Sequence, residues 1–138
     1  FFWLTQHPFP DPARMLCPNP AMTPRLTPFV FLDTIAEHWT GRNTRGLRDI
    51  ELASALMNFV LCMIIGATLA WRGVPVLWAA LVGAGLSLFV ELTQLTGTWG
   101  IFPCAYRQFD VDDLILNIGG VAAGAALAAT VLRLTRRR

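Results

Sequence analysis

Arg107, Asp110, Asp112, Asp113, Asn117 and Gly120 set charged and amide side chains at the entrance to a run that is otherwise Ala, Gly, Val, Ile and Leu as far as Leu132. At about 100° per residue, Asp110, Asp113, Asn117, Gly120 and Gly124 fall on one helix face, whereas Asp112 points elsewhere and reads as solvated. Placing an ionisable group inside an apolar span costs roughly 2.5–3.5 kcal/mol, so such groups mark function more often than accident. Three kinds of chemistry suit this set. A carboxylate can serve as general base, the guanidinium of Arg107 can pair with a phosphate, and Glu91, Asp110 and Asp113 are candidates to hold a divalent cation such as Mg²⁺.

A second polar stripe lies upstream. Ser87, Glu91 and Gln94 fall within about 60° of one another on a helix, above Gly83 and Ala80. Asn58, Glu91 and Asn117 each sit roughly 6–9 Å in from the same end of their segments at 1.5 Å per residue. Three helices thus bring polar groups to one level, and a polar cup between them is expected. Glu91, Asp110 and Asp113 are its candidate catalytic residues, with Arg107, Gln94, Asn117 and Asn58 as candidate substrate contacts. The bland alternative for Asn58, Ser87 and Gln94 is interhelical hydrogen bonding, at about 0.6 kcal/mol each.

The elements that must position these groups are membrane spans. Hydrophobic residues form 54% of the chain and charged residues 14%, and the apolar windows Leu52–Trp71, Val74–Leu95 and Val111–Leu132 each reach the roughly 20 residues a span needs. The expected fold is an all-α integral membrane bundle of three antiparallel spans in one domain, residues 1–138. Residues 1–50 form a Pro-rich outer loop and an interfacial helix, 51–132 the bundle, and 133–138 a basic tail. The chain opens on Phe1, Phe2, Trp3 and Leu4, which reads as the cut end of a preceding hydrophobic segment, so a further span is expected ahead of it.

Seven of the nine prolines lie between residues 5 and 28, which calls for an extended loop. Thr27 and Pro28 are the expected N-cap and first residue of a short amphipathic helix, with Phe29, Leu32, Ala36 and Trp39 on one side and Asp33, Glu37 and His38 towards the other. That helix either lies on the membrane surface or caps the bundle mouth. The tight Trp71–Pro75 connection predicts that the first two spans are neighbours, and Trp39, Trp71, Trp78 and Trp99 fall at or near span ends. All eleven cationic residues are arginine. Arg72, Arg133, Arg136, Arg137 and Arg138 on one side, against Arg42, Arg45, Arg48 and Arg107 on the other, place the C-terminus in the cytoplasm and the cup outside. Next to a span the terminal basic run reads as an anchor, not a nucleic-acid site. Cys17 and Cys104 then lie in two outer loops over the same mouth and are candidates for a disulfide, the alternative being two thiols that never meet, while Cys62 should be buried.

Glu91 and Gln94, followed by Arg107, Asp110, Asp113, Asn117 and Gly120, together resemble the signature of the VanZ-like membrane proteins. Asn58 and Gly66 match that family's second-span Asn and Gly, and Leu26, Pro28 and Phe29 are similar to its short Leu-x-Pro-Phe motif. The resemblance runs from about Leu26 to Leu132, with Arg25, Cys62 and Ile64 as departures where Asn, Phe and Pro are usual. It implies one more N-terminal span and a place in the bacterial cell envelope. It also implies a link to teicoplanin resistance and possible action on the headgroup of a phospholipid or a polyprenyl-linked envelope precursor. Two functions fit: an intramembrane hydrolase or transferase acting on a lipid headgroup, or a non-enzymatic module that binds a lipid or partner protein and alters antibiotic access. An excess of buried carboxylate over cation favours the first.

Overall fold

The computed structural model describes residues 11, 15–17, 22–40 and 47–136, without the side chains of His38 and of residues 47–51. Most of the proline loop, Arg42, Arg45, Arg137 and Arg138 therefore lie outside the described residues. Four helices carry the architecture: α1 (Val30–Trp39), α2 (Leu47–Trp71), α3 (Val76–Leu95) and α4 (Val111–Thr135). The last three are long and apolar enough to cross a membrane. The expected all-α membrane bundle is what the chain forms. Helix α2 starts earlier than expected and includes Arg48, and α4 runs three residues past Leu132 into the basic tail.

Helix α2 ends in a Schellman closure. Gly73, at φ 84°, donates to the carbonyl of Ala70 at 2.9 Å, and Val74 to that of Leu69 at 3.0 Å. Glycine carries the positive φ without a Cβ clash, and Pro75 in an extended conformation launches α3 antiparallel to α2. Yet α2 and α3 make only a limited contact with each other. Helix α4 lies between them and makes the larger contact with both, most of all with α2. The first two spans are joined as antiparallel neighbours, as expected, but each packs chiefly on α4.

The reason lies in side-chain size. Lipid tails are as apolar as leucine, so helices in a membrane associate where small residues let backbones close up. A Cβ on Gly124 would fall on the carbonyl of Met63, one on Gly66 on the carbonyl of Val121, and one on Gly120 would lie 2.5 Å from the carbonyl of Phe59. Gly83 of α3 gives Val121 its place on the other flank. The core is correspondingly small-sided: Cys62, Ala70, Ala79, Val121, Ala125 and Ala128, with Ala79 rather than Ala80 turned inward. Leu56, Ile64, Leu77, Leu81 and Leu127 face outward, as does each of Trp39, Trp71, Trp78 and Trp99.

Between α3 and α4 the chain makes a tight left-handed turn over Gly97–Gly100, in which Thr98 (φ 55°) and Trp99 (φ 59°) join Gly97 and Gly100 at positive φ. Phe102 donates to the Gly97 carbonyl at 2.8 Å and Trp99 to the Thr96 hydroxyl at 3.1 Å, which hold the turn shut. A Cβ at Gly97 would strike the carbonyls of Phe102 and Cys104. This loop carries Cys104 back to the bundle mouth.

Gly124→Val should prise α2 from α4 and destabilise the bundle by at least about 1–3 kcal/mol, the usual cost of overpacking. Gly85→Ala, which meets nothing within 4 Å, should leave stability unchanged or slightly raised. Thermal unfolding in detergent compares the two, and equal melting temperatures would refute the close α2–α4 contact.

Candidate functional site

The first turn of α4 organises the mouth. Asp110 is its N-cap, at φ −130°, and its Oδ1 accepts from the Asp112 amide at 3.0 Å, as the orphan donors of a helix start require. The Asp110 amide in turn donates to Oε2 of Glu91 on α3 at 3.1 Å. Glu91, 2% exposed, therefore braces the start of α4 from behind.

A strap of chain ahead of α1 lies along the same turn. Arg25 forms a short parallel bridge with Asp110, its amide donating to the Phe109 carbonyl at 2.8 Å and its carbonyl accepting from Val111 at 3.0 Å. The Arg25 guanidinium is ion-paired with the Asp110 carboxylate. Gln108 adds a bond from Nε2 to the Thr23 carbonyl at 2.8 Å. Upstream, Cys17 and Cys104 are joined in a disulfide with a Cα–Cα distance of 5.9 Å. Arg25 thus joins Arg107 as a second cation at this mouth.

Asp112 is the largest departure from expectation. It is not solvated but 4% exposed, and its two carboxylate oxygens accept from the amides of Phe29 at 2.5 Å and Phe31 at 2.9 Å. The cap of α1 is thus a side chain from α4, and not Thr27. Helix α1 begins at Val30, and Phe29 takes the left-handed conformation, φ 68°, that aims both amides at one carboxylate. So fastened, α1 roofs the mouth beside α2, turning Thr34 and Glu37 inward and leaving Leu32, Ala36 and Trp39 on its exposed side. It thus caps the mouth, one of the two places expected for it, with its apolar side facing outward.

Strap, α1, α2 and the start of α4 enclose a cavity of about 1130 Å³. Arg25, Arg107, Asp110, Asp112 and Asp113 line one side, Asp33 and Glu37 of α1 the roof, and Leu52, Ser54 and Ala55 the α2 wall. Of the sequence candidates, Arg107, Asp110 and Asp113 border this cavity. Glu91, Gln94, Asn117 and Asn58 do not, and α3 contributes no wall, so the cup opens between α1, α2 and α4 instead of among all three spans. Asn117 has a different place. Its Nδ2 donates to the Ser87 hydroxyl at 3.0 Å and its Oδ1 accepts from Cys62 at 3.4 Å, so one amide links all three spans beneath the cavity. Cys62 is buried as expected, with this polar contact in addition.

The carboxylates differ in how they are engaged. Asp110 is taken by Arg25 and its own helix start, Asp112 by α1, and Glu91 by Asp110. No hydrogen bond or ion pair among the described residues takes up the carboxylate of Asp113, which feels Arg107 through space. Among the described residues no three acidic, histidine or cysteine side chains stand close enough to share an ion. Glu91, Asp110 and Asp113 accordingly do not form the three-carboxylate cation site considered from sequence. Sequence reasoning also passed over Arg25, Asp33 and Glu37 as cavity residues. The i, i+4 spacing of Asp33 and Glu37 was a usable signal, since it puts both on one helix face.

The family model described as VanZ/LLP1 matches residues 1–133, which take in strap, cavity and Asn117 clasp alike. The chain belongs to the VanZ/LLP1 family. No curated protein and no solved structure matches it. For this VanZ/LLP1 protein the resemblance seen in Glu91, Arg107, Asp110, Asp113 and Asn117 therefore extends over nearly the whole chain, and the motif residues divide between a cavity wall and the scaffold behind it.

Asp112→Ala should free the α1 amides at a cost of about 1–3 kcal/mol, the penalty of unsatisfied buried donors. Hydrogen exchange across α1 should then quicken by about ten- to a hundredfold, with α2 and α4 unchanged. Unaltered protection of α1 would show that its anchorage lies elsewhere.

Proposed function

We propose that this VanZ/LLP1 protein is an intramembrane enzyme of the bacterial envelope that processes the phosphate-bearing headgroup of a lipid, whether a phospholipid or a polyprenyl-linked precursor. The observation that carries the reading is the pairing of Arg107 and Asp113 on one cavity at the end of a span, with the Asp113 carboxylate engaged by no hydrogen bond or ion pair among the described residues. Arg107 presents a planar set of donors suited to phosphate oxygens and to the charge that grows on them during transfer. Asp113 accepts the proton of the attacking water or hydroxyl and returns it to the departing oxygen, a role worth about 10²–10⁴ in rate. Asp110 and Glu91 are positioning residues: Arg25 fixes the first, and the second holds the amide that starts α4. The mouth faces outward and the C-terminus lies in the cytoplasm. A disulfide at the mouth suits an oxidising compartment, and Arg133 and Arg136 at the far end suit the cytoplasmic side. Teicoplanin resistance would follow if the processed lipid is one that the drug must engage.

The second reading is a module that binds a lipid or partner protein without turnover. One observation favours it. Arg25 neutralises Asp110, and Glu91 and Asp112 are satisfied by amides, so the carboxylate excess that pointed to catalysis is smaller than the sequence implied.

Headgroup release from labelled envelope lipids by the reconstituted protein separates the two. Asp113→Asn should lower the rate by about 10² or more, and Arg107→Ala should weaken both binding and turnover. Glu91→Gln keeps an oxygen for the Asp110 amide and should lose less than Asp113→Asn. Full turnover in Asp113→Asn would overturn the enzymatic role given to it, and an intact resistance phenotype in that variant would favour the binding module.

A further inference from the structure

The charged groups on the cavity are unevenly placed. Two arginines border it near the start of α4, Arg25 paired with Asp110 and Arg107 three residues ahead of that acid in the chain. The roof is acidic: Asp33 and Glu37, one turn apart on α1, border the same space. Of the five carboxylates that border it, Asp110 is matched by Arg25 and Asp112 by the α1 amides. Asp33 and Asp113 remain as negative charge that those contacts do not offset. A headgroup carrying phosphate alone would suit Arg107 and meet like charge at the roof. One carrying only a cation would suit the roof and oppose Arg107. A group with both charges in separate places meets opposite charge at each end, and the roof would then select against purely anionic competitors.

We propose that the cavity takes an aminoalkyl phosphate, the headgroup of a zwitterionic lipid, with the phosphate at Arg107 and the ammonium at Asp33 on α1. This rests on the reading of the cavity as a headgroup site and names the class of headgroup. The α1 anchor sets the spacing. Phe31 is tied to Asp112 at 2.9 Å, and Asp33 follows two residues on, about 3 Å further along the helix axis. The acidic pole is thereby tied to the same turn of α4 that the arginine pole precedes, across one cavity. Asp33 is exposed on the surface of α1, so a neutral isostere there leaves the fold intact.

The test uses the full chain in nanodiscs of equal phosphatidylethanolamine and phosphatidylglycerol, released for native mass spectrometry of the lipid that stays bound. The wild-type chain should retain phosphatidylethanolamine over phosphatidylglycerol by about tenfold, a difference within reach of one charged contact. Asp33→Asn should bring the ratio close to one without lowering the retained phosphatidylglycerol, and Asp33→Glu should restore the preference. Arg107→Ala should lower both lipids together. A wild-type ratio of one, or a preference for phosphatidylglycerol, overturns the zwitterionic assignment; if retention still falls in Arg107→Ala, the headgroup site itself stands. Retention indifferent to Arg107 overturns both. In a second arm, lipid-stripped protein is offered soluble phosphoethanolamine. Binding there without preference among bilayer lipids would overturn the assignment to a lipid and move the ligand to the free molecule.

Discussion

A carboxylate withdrawn from water must have its lone pairs taken up by donors, and the opening turn of α4 meets that demand three times within a few ångströms. Glu91 receives the Asp110 amide, Asp110 receives Arg25 and the Asp112 amide, and Asp112 receives the two amides that begin α1. Each acid is satisfied by a different part of the chain. The result is that α3, the strap and α1 are all fastened to one turn of one helix. Without these acids, only a limited contact with α2 would, among the described residues, hold α1 over the mouth.

Beneath this turn the forces change character. Glycine and alanine bring α4 close to α2 and α3, where carbonyls and methyl groups touch and large side chains are turned away. The Asn117 amide is the polar exception, bonded to Ser87 and Cys62 so that the three spans share one register. The bundle therefore has a close-packed, small-sided lower part and a hydrogen-bonded upper part. The cavity lies at the side of the latter, because α3 is drawn in behind Glu91 and leaves the wall to α1 and α2.

Much of this was legible in the sequence. The three apolar windows gave the spans, the four-residue spacing of Gly120, Gly124 and Ala128 gave the close face of α4, and the alternation of Arg107, Asp110 and Asp113 gave one wall of the cavity. What was not legible depends on contacts between residues far apart in the chain. Asp112 points away from the face shared by Asp110 and Asp113, and helical periodicity alone assigns such a residue to solvent; only a strap folded back across 81 or more residues makes that direction inward. Arg25 was hidden for the same reason, within a proline-rich stretch whose composition says extended but not where. Local capping rules favoured Thr27, and a carboxylate from another helix, carrying full charge and two oxygens, displaced it.

The origin of the α1 cap also sets an order of events during synthesis. Ribosomes deliver the N-terminal part first, and a ten-residue helix with no partner is marginal in water. Strap and α1 therefore wait, unfastened, while α2 and α3 enter the bilayer, and are completed only when the last-made span brings Asp110 and Asp112 to them. A nascent chain stopped before α4 has α2 and α3 but no site. The earliest residues described here are finished by some of the last, so the mouth comes into being only once the whole bundle is in place.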